Sequence, residues 1–171
     1  PAALCCPPFH GIIEDRKEQI MEIERKYLLS SPPPGYDSHP YHEIEQAYLC
    51  TEPVVRIRRE DDSCYLTYKS KGLLAREEYN LPLTQEAYDH LLPKADGMVL
   101  TKRRYRIPLE GTALTVELDV FSGAYEGLLL AEVEFETKEE AQRFQPPSWL
   151  GTDVTFSGEY QNSRLALRPQ L

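Results

Sequence analysis

A chain of 171 residues has the length of one domain, able to bury about 70% of its unfolded surface, and leaves little room for a second. Its 28 acidic residues against 19 basic give a net charge of −9, a balance that argues against a nucleic-acid coat or an anionic membrane as partner. No apolar stretch approaches the ~20 residues that cross a bilayer, and the N-terminus lacks the charged-then-apolar order of a secretory signal, so a cytoplasmic protein is expected.

In chain order, residues 1–20 read as a peripheral or added extension ahead of Met21, with a short charged helix over 11–20. Residues 21–171 then read as a single domain dominated by period-two alternation. Strands are expected at 20–29, 42–50, 54–60, 63–71, 74–82, 98–108, 112–121 and 128–136, eight in all. The run Ser31-Pro-Pro-Pro-Gly35 is a loop, and Glu60-Asp61-Asp62 and Ser122-Gly123 suit antiparallel turns. Thr84 caps a helix through Leu92 that Pro93 stops, and Thr137 precedes a second helix over Lys138 to Phe144. Cys5, Cys6, Cys50 and Cys64 have neither zinc spacing nor disulfide density and read as reduced thiols. His10, His39, His42 and His90 share no metal spacing and read as surface or loop residues.

Residues i, i+2 and i+4 of a strand share one face. That arithmetic groups Glu22, Glu24 and Lys26; Arg56 with Arg58; Thr67 with Lys69; Arg76 with Glu78; Lys102 with Arg104; Glu117 with Asp119; and Glu132 with Glu134. Seven of the eight strands thus carry an ionic face. The opposite faces are apolar at Val55, Ile57, Leu66, Tyr68, Val116, Leu118, Val120, Val133 and Phe135. Two helices cover only part of such a surface, so the charged faces are expected to point inward. The fold class is therefore α+β, mostly β: a closed eight-stranded antiparallel barrel, a tunnel with flanking helices. Unpaired buried ions are prohibitive, so the interior must be wet, internally paired and filled by charged ligands. Arginine forks and lysines suit phosphoryl oxygens, and clustered carboxylates suit a hard cation, Mg²⁺ or Mn²⁺. Metal-assisted displacement at a terminal phosphorus is the expected chemistry.

The run Glu22-Ile23-Glu24-Arg25-Lys26 resembles the ExExK signature of the CYTH domain, the triphosphate tunnel metalloenzyme superfamily. The resemblance extends through Val55-Arg56-Ile57-Arg58, Leu66 to Gly72, Arg76 to Tyr79, Lys102 to Tyr105, Glu117-Leu118-Asp119 and Ala131 to Glu134, over about residues 21–167. It implies metal binding by Glu22, Glu24, Glu132 and Glu134. It implies substrate binding by Lys26, Arg56, Arg58, Lys69, Lys102 and Arg104, with Arg76 as a further candidate. Glu117 and Asp119 are implied to support a second metal or orient water, and Glu22, Glu24 and Lys26 to join them in catalysis. In order and spacing the motifs look like the bacterial, inorganic triphosphatase branch, so the expected substrate is inorganic triphosphate or another triphosphate-bearing small molecule. Hydrolysis of nucleoside or thiamine triphosphate, adenylyl cyclisation of class IV type and non-catalytic polyphosphate binding are the alternatives. One departure stands at Glu159, where the family commonly has a basic residue before the tyrosine.

Overall fold

The structure, a computed structural model, describes residues 21–168; the expected helix over 11–20, His10 and the Cys5-Cys6 pair lie outside them. The strands are β1 (Met21–Leu29), β2 (Tyr41–Thr51), β3 (Val54–Glu60), β4 (Ser63–Lys69), β5 (Ala75–Leu83), β6 (Asp96–Pro108), β7 (Thr115–Ser122), β8 (Leu129–Glu134) and a two-residue β9 (Thr152–Asp153). Helices are α1 (Gln85–Leu91), α2 (Lys138–Arg143) and α3 (Asn162–Leu167). No helix among the described residues is long and apolar enough to cross a membrane.

All eight long strands pair antiparallel in the order β5-β4-β3-β2-β6-β7-β8-β1, and β1 meets β5 again to close the barrel. β1 changes partner along one edge. Met21 to Ile23 face Glu77 to Ala75 of β5, whereas Tyr27 and Leu28 face Asp153 and Thr152 of β9. β9 and α3 were not anticipated: two residues are too few to show alternation, and α3 is under two turns long.

The apolar strand faces point outward, as the alternation requires, and two covers bury much of them. Against β1, β6, β7 and β8, residues such as Tyr27, Val116, Leu118 and Val133 pack with Ala141 of α2, Trp149 and Leu150. Against β2, β3 and β4, Ala47, Ile57 and Cys64 pack with Tyr88 of α1. Thr84 caps α1 by accepting from the Ala87 amide at 3.2 Å, and Thr137 and Glu140 form a reciprocal capping box on α2. Pro93 does not end the helical run; it sits inside a short 3-10 turn, Leu92–Lys94, that continues α1. Cys50 and Cys64 are free thiols.

Arg25, one of the two outward residues of the first motif, ties these layers together. Its guanidinium donates to Asp153 Oδ2 at 2.5 Å and to the carbonyls of Ala141 and Phe144 at 3.2 and 3.0 Å. β9 and the end of α2 are thereby pinned to β1.

A third apolar cluster lies inside the barrel. Tyr48, Leu100, Phe121 and Leu130, on the inward faces of β2, β6, β7 and β8, pack with Leu165 and Ala166 of α3 and with Leu28 and Val54. They form a dry floor across one end. The inward faces are therefore ionic for only part of their length: β1 passes from Glu22, Glu24 and Lys26 to Leu28, and β7 from Glu117 and Asp119 to Phe121.

Candidate functional site

Above that floor is a cavity of about 790 Å³ lined along its length by Glu22, Glu24, Lys26, Arg56, Arg58, Lys69, Arg76, Arg104, Glu117, Glu132 and Glu134. Register explains the convergence. Glu24 is opposite Glu134 and Lys26 opposite Glu132 on β1 and β8, Glu117 is opposite Glu132 on β7 and β8, and Arg104 is opposite Asp119 on β6 and β7. In the circle of strands, β3 with its two arginines stands across from β8 with its two glutamates.

The carboxylate side is densely cross-linked. Lys69 Nζ lies 2.6 Å from Glu22 Oε1 and 2.7 Å from Glu78 Oε2, and Arg76 Nε donates to Glu22 Oε2 at 2.8 Å. Arg76 thus pairs with β1 and not with Glu78, its neighbour on β5. Lys26 Nζ meets Glu132 at 2.8 Å. Arg104 spans three carboxylates: Asp119 at 2.6 Å, Glu132 at 2.5 Å, and Glu117.

These pairings set the ionisation. Burial would raise Glu22, but Lys69 and Arg76 beside it hold its carboxyl down at about 2. Glu132 is held well below the carboxylate range against burial by Lys26, Arg104 and Lys102. Glu24 goes the other way, raised by burial and by Glu132. Glu134, at the rim, is pushed up to about 7 by burial and by Glu117, Glu22, Glu24 and Glu132. Among the described residues no three carboxylates, histidines or cysteines converge as a ready-made metal cluster. The donor set nevertheless fits a hard cation: Glu24 and Glu134 are two raised carboxyls on opposed positions, offering only oxygen.

Lys102 and Asp119 stand behind the cavity wall, not on it. The Lys102 side chain is fully enclosed, bonded to Asp119, with its amine lying over the Phe121 ring. Burial, with Arg104 next to it, pushes its amine down to about 7. Asp119 in turn holds Arg104 through both oxygens.

β3 supplies the least neutralised charge. Arg56 is 4% exposed, its Nη2 donates to Thr67 Oγ1 at 3.0 Å, and its Nε has no partner among the described residues. Among the described residues no carboxylate forms a salt bridge with it, and burial beside Arg58 lowers its pKa. Arg58 is held by Gln46 Oε1 at 2.9 and 3.2 Å and by the Tyr65 hydroxyl at 3.1 Å.

Three residues in and behind the wall escaped the strand-face argument. Gln46 and Tyr48 lie on the inward face of β2, opposite Arg58 and Arg56, with the Gln46 amide donating to Tyr48 at 3.0 Å. Thr67, on the face it shares with Lys69 as expected, backs Arg56. His42, expected on the surface or a loop, sits on β2 and lines the cavity mouth. Glu159 is exposed, and Gln161, Asn162 and Ser163 reach the cavity instead.

The CYTH domain model matches residues 21–163. The chain is 38% identical over 151 residues to an inorganic triphosphatase of Nitrosomonas europaea, covering 86% of this chain and 98% of that protein. It is 36% identical over 154 residues to an inorganic triphosphatase of Acetivibrio thermocellus, covering 86% and 94%. A crystal structure of an inorganic triphosphatase superposes with a TM-score of 0.68 at 34% identity, over 88% of this chain and 97% of that one. A putative adenylate cyclase from Bacillus halodurans, at 19% identity and a TM-score of 0.52 over 88% and 93%, shares the fold alone. With the barrel, the ionic strand faces and a match running through nearly all the described residues, this chain belongs to the CYTH domain family.

Proposed function

We propose that this protein hydrolyses inorganic triphosphate to diphosphate and orthophosphate with a divalent cation, Mg²⁺ or Mn²⁺. The observation that carries the reading is Arg56: a buried guanidinium with which no carboxylate among the described residues forms a salt bridge, across the barrel from the carboxylates of β8. Leaving such a charge buried costs several kcal/mol, and a phosphate chain supplies its counterion. The two relatives named as inorganic triphosphatases support the same substrate.

In this reading Arg56, Arg58 and Arg76 with Lys26 and Lys69 hold the phosphoryl oxygens, and Gln46 and Tyr65 fix the Arg58 fork so that little freedom is lost on binding. Glu22, Glu24, Glu132 and Glu134 hold the cation, which when bound supplies charge neutralisation at the reacting phosphorus. Glu117, which lines the cavity near Glu134, orients the attacking water. The water oxygen bonds to a terminal phosphorus, the bridging P–O bond breaks with its electron pair going to diphosphate, and the water's proton leaves toward the open mouth. Asp119 and Lys102 act through Arg104, whose position they set.

Incubation with triphosphate, ATP and thiamine triphosphate, with and without Mg²⁺ or Mn²⁺, tests the proposal by product identity. Metal-dependent orthophosphate release, fastest from triphosphate, is expected. Cyclic AMP from ATP, or binding without turnover, overturns it.

A further inference from the structure

His42 occupies a position that none of the motifs includes. It lies on the inward face of β2, in register with Arg104, where the cavity opens to solvent. Its Nδ1 is 2.6 Å from Asp61 Oδ2. Asp61 is itself fixed. It adopts a left-handed backbone at φ 50°, its amide donates to the Glu43 carbonyl at 2.9 Å, and its Oδ1 accepts from the Glu43 amide at 2.9 Å. The bond to His42 and the Glu43 amide hold the Asp61 carboxyl below its usual range, so the ionised carboxylate accepts and Nδ1–H donates. That leaves Nε2 as the ring's remaining polar atom, on a side chain that lines the mouth.

We propose that His42 is a substrate-binding residue, whose protonated Nε2–H donates to a non-bridging oxygen of the outermost phosphoryl group of a triphosphate that reaches inward to Arg56. The proposal rests on the triphosphatase reading and adds a specificity element to it. The charged groups around His42 come from several elements: Asp61 on the turn after β3 bonds to the ring, and Glu60 and Arg58 on β3 and Arg104 and Arg106 on β6 line the same cavity. A bound polyphosphate brings negative charge to the protonated ring, so protonation and substrate binding reinforce each other. Histidine ordinarily changes charge near neutral pH, which makes the contact adjustable there. An esterified outer phosphate offers less charge at that oxygen and puts a bulky group against the ring, so the contact favours inorganic triphosphate over nucleoside triphosphates.

The test is KM and kcat for triphosphate at saturating Mg²⁺ across pH 5.5–8.5, for the wild type and His42→Gln, read as a ratio that cancels the substrate's own ionisation. The KM of His42→Gln is expected about fivefold above wild type at the acid end, converging toward it at the alkaline end, with kcat preserved. The KM for ATP should change less. Asp61→Asn, which removes the anion behind the ring, should move the bend in the ratio to lower pH, and it serves as the reporter if His42→Gln misfolds. A KM ratio that is flat with pH, or an unchanged KM, overturns the proposal. If the wild type releases no phosphate from triphosphate, the functional reading fails instead; the pH dependence of triphosphate binding by calorimetry in the same two variants then decides the role of His42.

Discussion

Glu24 on β1 and Glu134 on β8 are register partners, two carboxyls directly opposite each other on the inward face. Like charges so placed are destabilising, and both pKa values are raised, Glu134 to about 7. A group whose pKa is higher in the folded state adds stability that is full below the unfolded value and lost as pH rises through the folded one. The metal-free protein is therefore expected to melt at a higher temperature at pH 5.5 than at pH 7, below the range in which the lowered Lys102 amine works the other way. Glu134→Gln should shrink that difference, and saturating Mg²⁺ should reverse it. Calorimetric scans at the two pH values check all three outcomes. An apparent Mg²⁺ affinity that falls as pH drops below about 7 is the companion expectation.

Arg56 separates binding from stability. Replacing a buried, uncompensated cation by an apolar chain of similar length removes a desolvation cost, so Arg56→Met is expected to stabilise the ligand-free barrel by about 1–2 kcal/mol. The same change should raise the KM for triphosphate about tenfold or more. Denaturant unfolding and steady-state kinetics on one preparation read both; a variant that is less stable as well as weaker would make Arg56 a structural residue.

Asp119 is fully buried and bonded to both Lys102 and Arg104. Asp119→Asn leaves two enclosed cations undercompensated and should cost about 3–5 kcal/mol. Adding Lys102→Met to that variant should restore part of the stability without restoring the KM, because Arg104 keeps Glu117 and Glu132 but still lacks the Asp119 carboxylate that orients it. Urea midpoints of the single and double variants give the coupling between them.

The inner floor is tested at α3. Leu165 is 1% exposed among Tyr48, Leu100, Phe121 and Leu130, and Leu165→Ala should cost about 2–4 kcal/mol. Gly97→Ala should loosen the same helix by another route. Its φ is +70°, and an added Cβ would fall 2.1 Å from the Ala166 carbonyl oxygen. Hydrogen exchange of the 162–167 amides should accelerate in both variants.

The sequence exposed the barrel because charge alternation is a loud signal on β1, β3, β6, β7 and β8, where successive inward positions above the floor carry a full charge. β2 was silent. Its inward residues are His42, Ile44, Gln46 and Tyr48, and a register irregularity between Tyr48 and Cys50 interrupts the period, so no ionic stripe marked it. The floor was hidden for the opposite reason: Leu28, Leu100, Phe121 and Leu130 keep the inward phase but lose the charge, and apolar residues in a strand carry no label saying which side they fill. Lys102 shows a further limit. Its spacing with Arg104 placed it on the inward face, while its removal from the cavity surface depends on Asp119 and Phe121 of the adjacent strand, a packing relation that one strand's pattern does not contain. The cross-strand pairings of Arg76 and Lys69 with Glu22 are likewise properties of register.

The closing ladder between β1 and β5 gives this arrangement a consequence for folding. Among the described residues only three register pairs join those strands, and one of them is Glu22 with Arg76. Glu22 also accepts from Lys69, so the ions that line the cavity staple its seam shut. Rolling the sheet into a cylinder and assembling its chemistry are thus a single event. A ligand that recruits Glu22 takes hold of a clasp as well as a side chain, and occupancy is written directly into how tightly the cylinder is fastened.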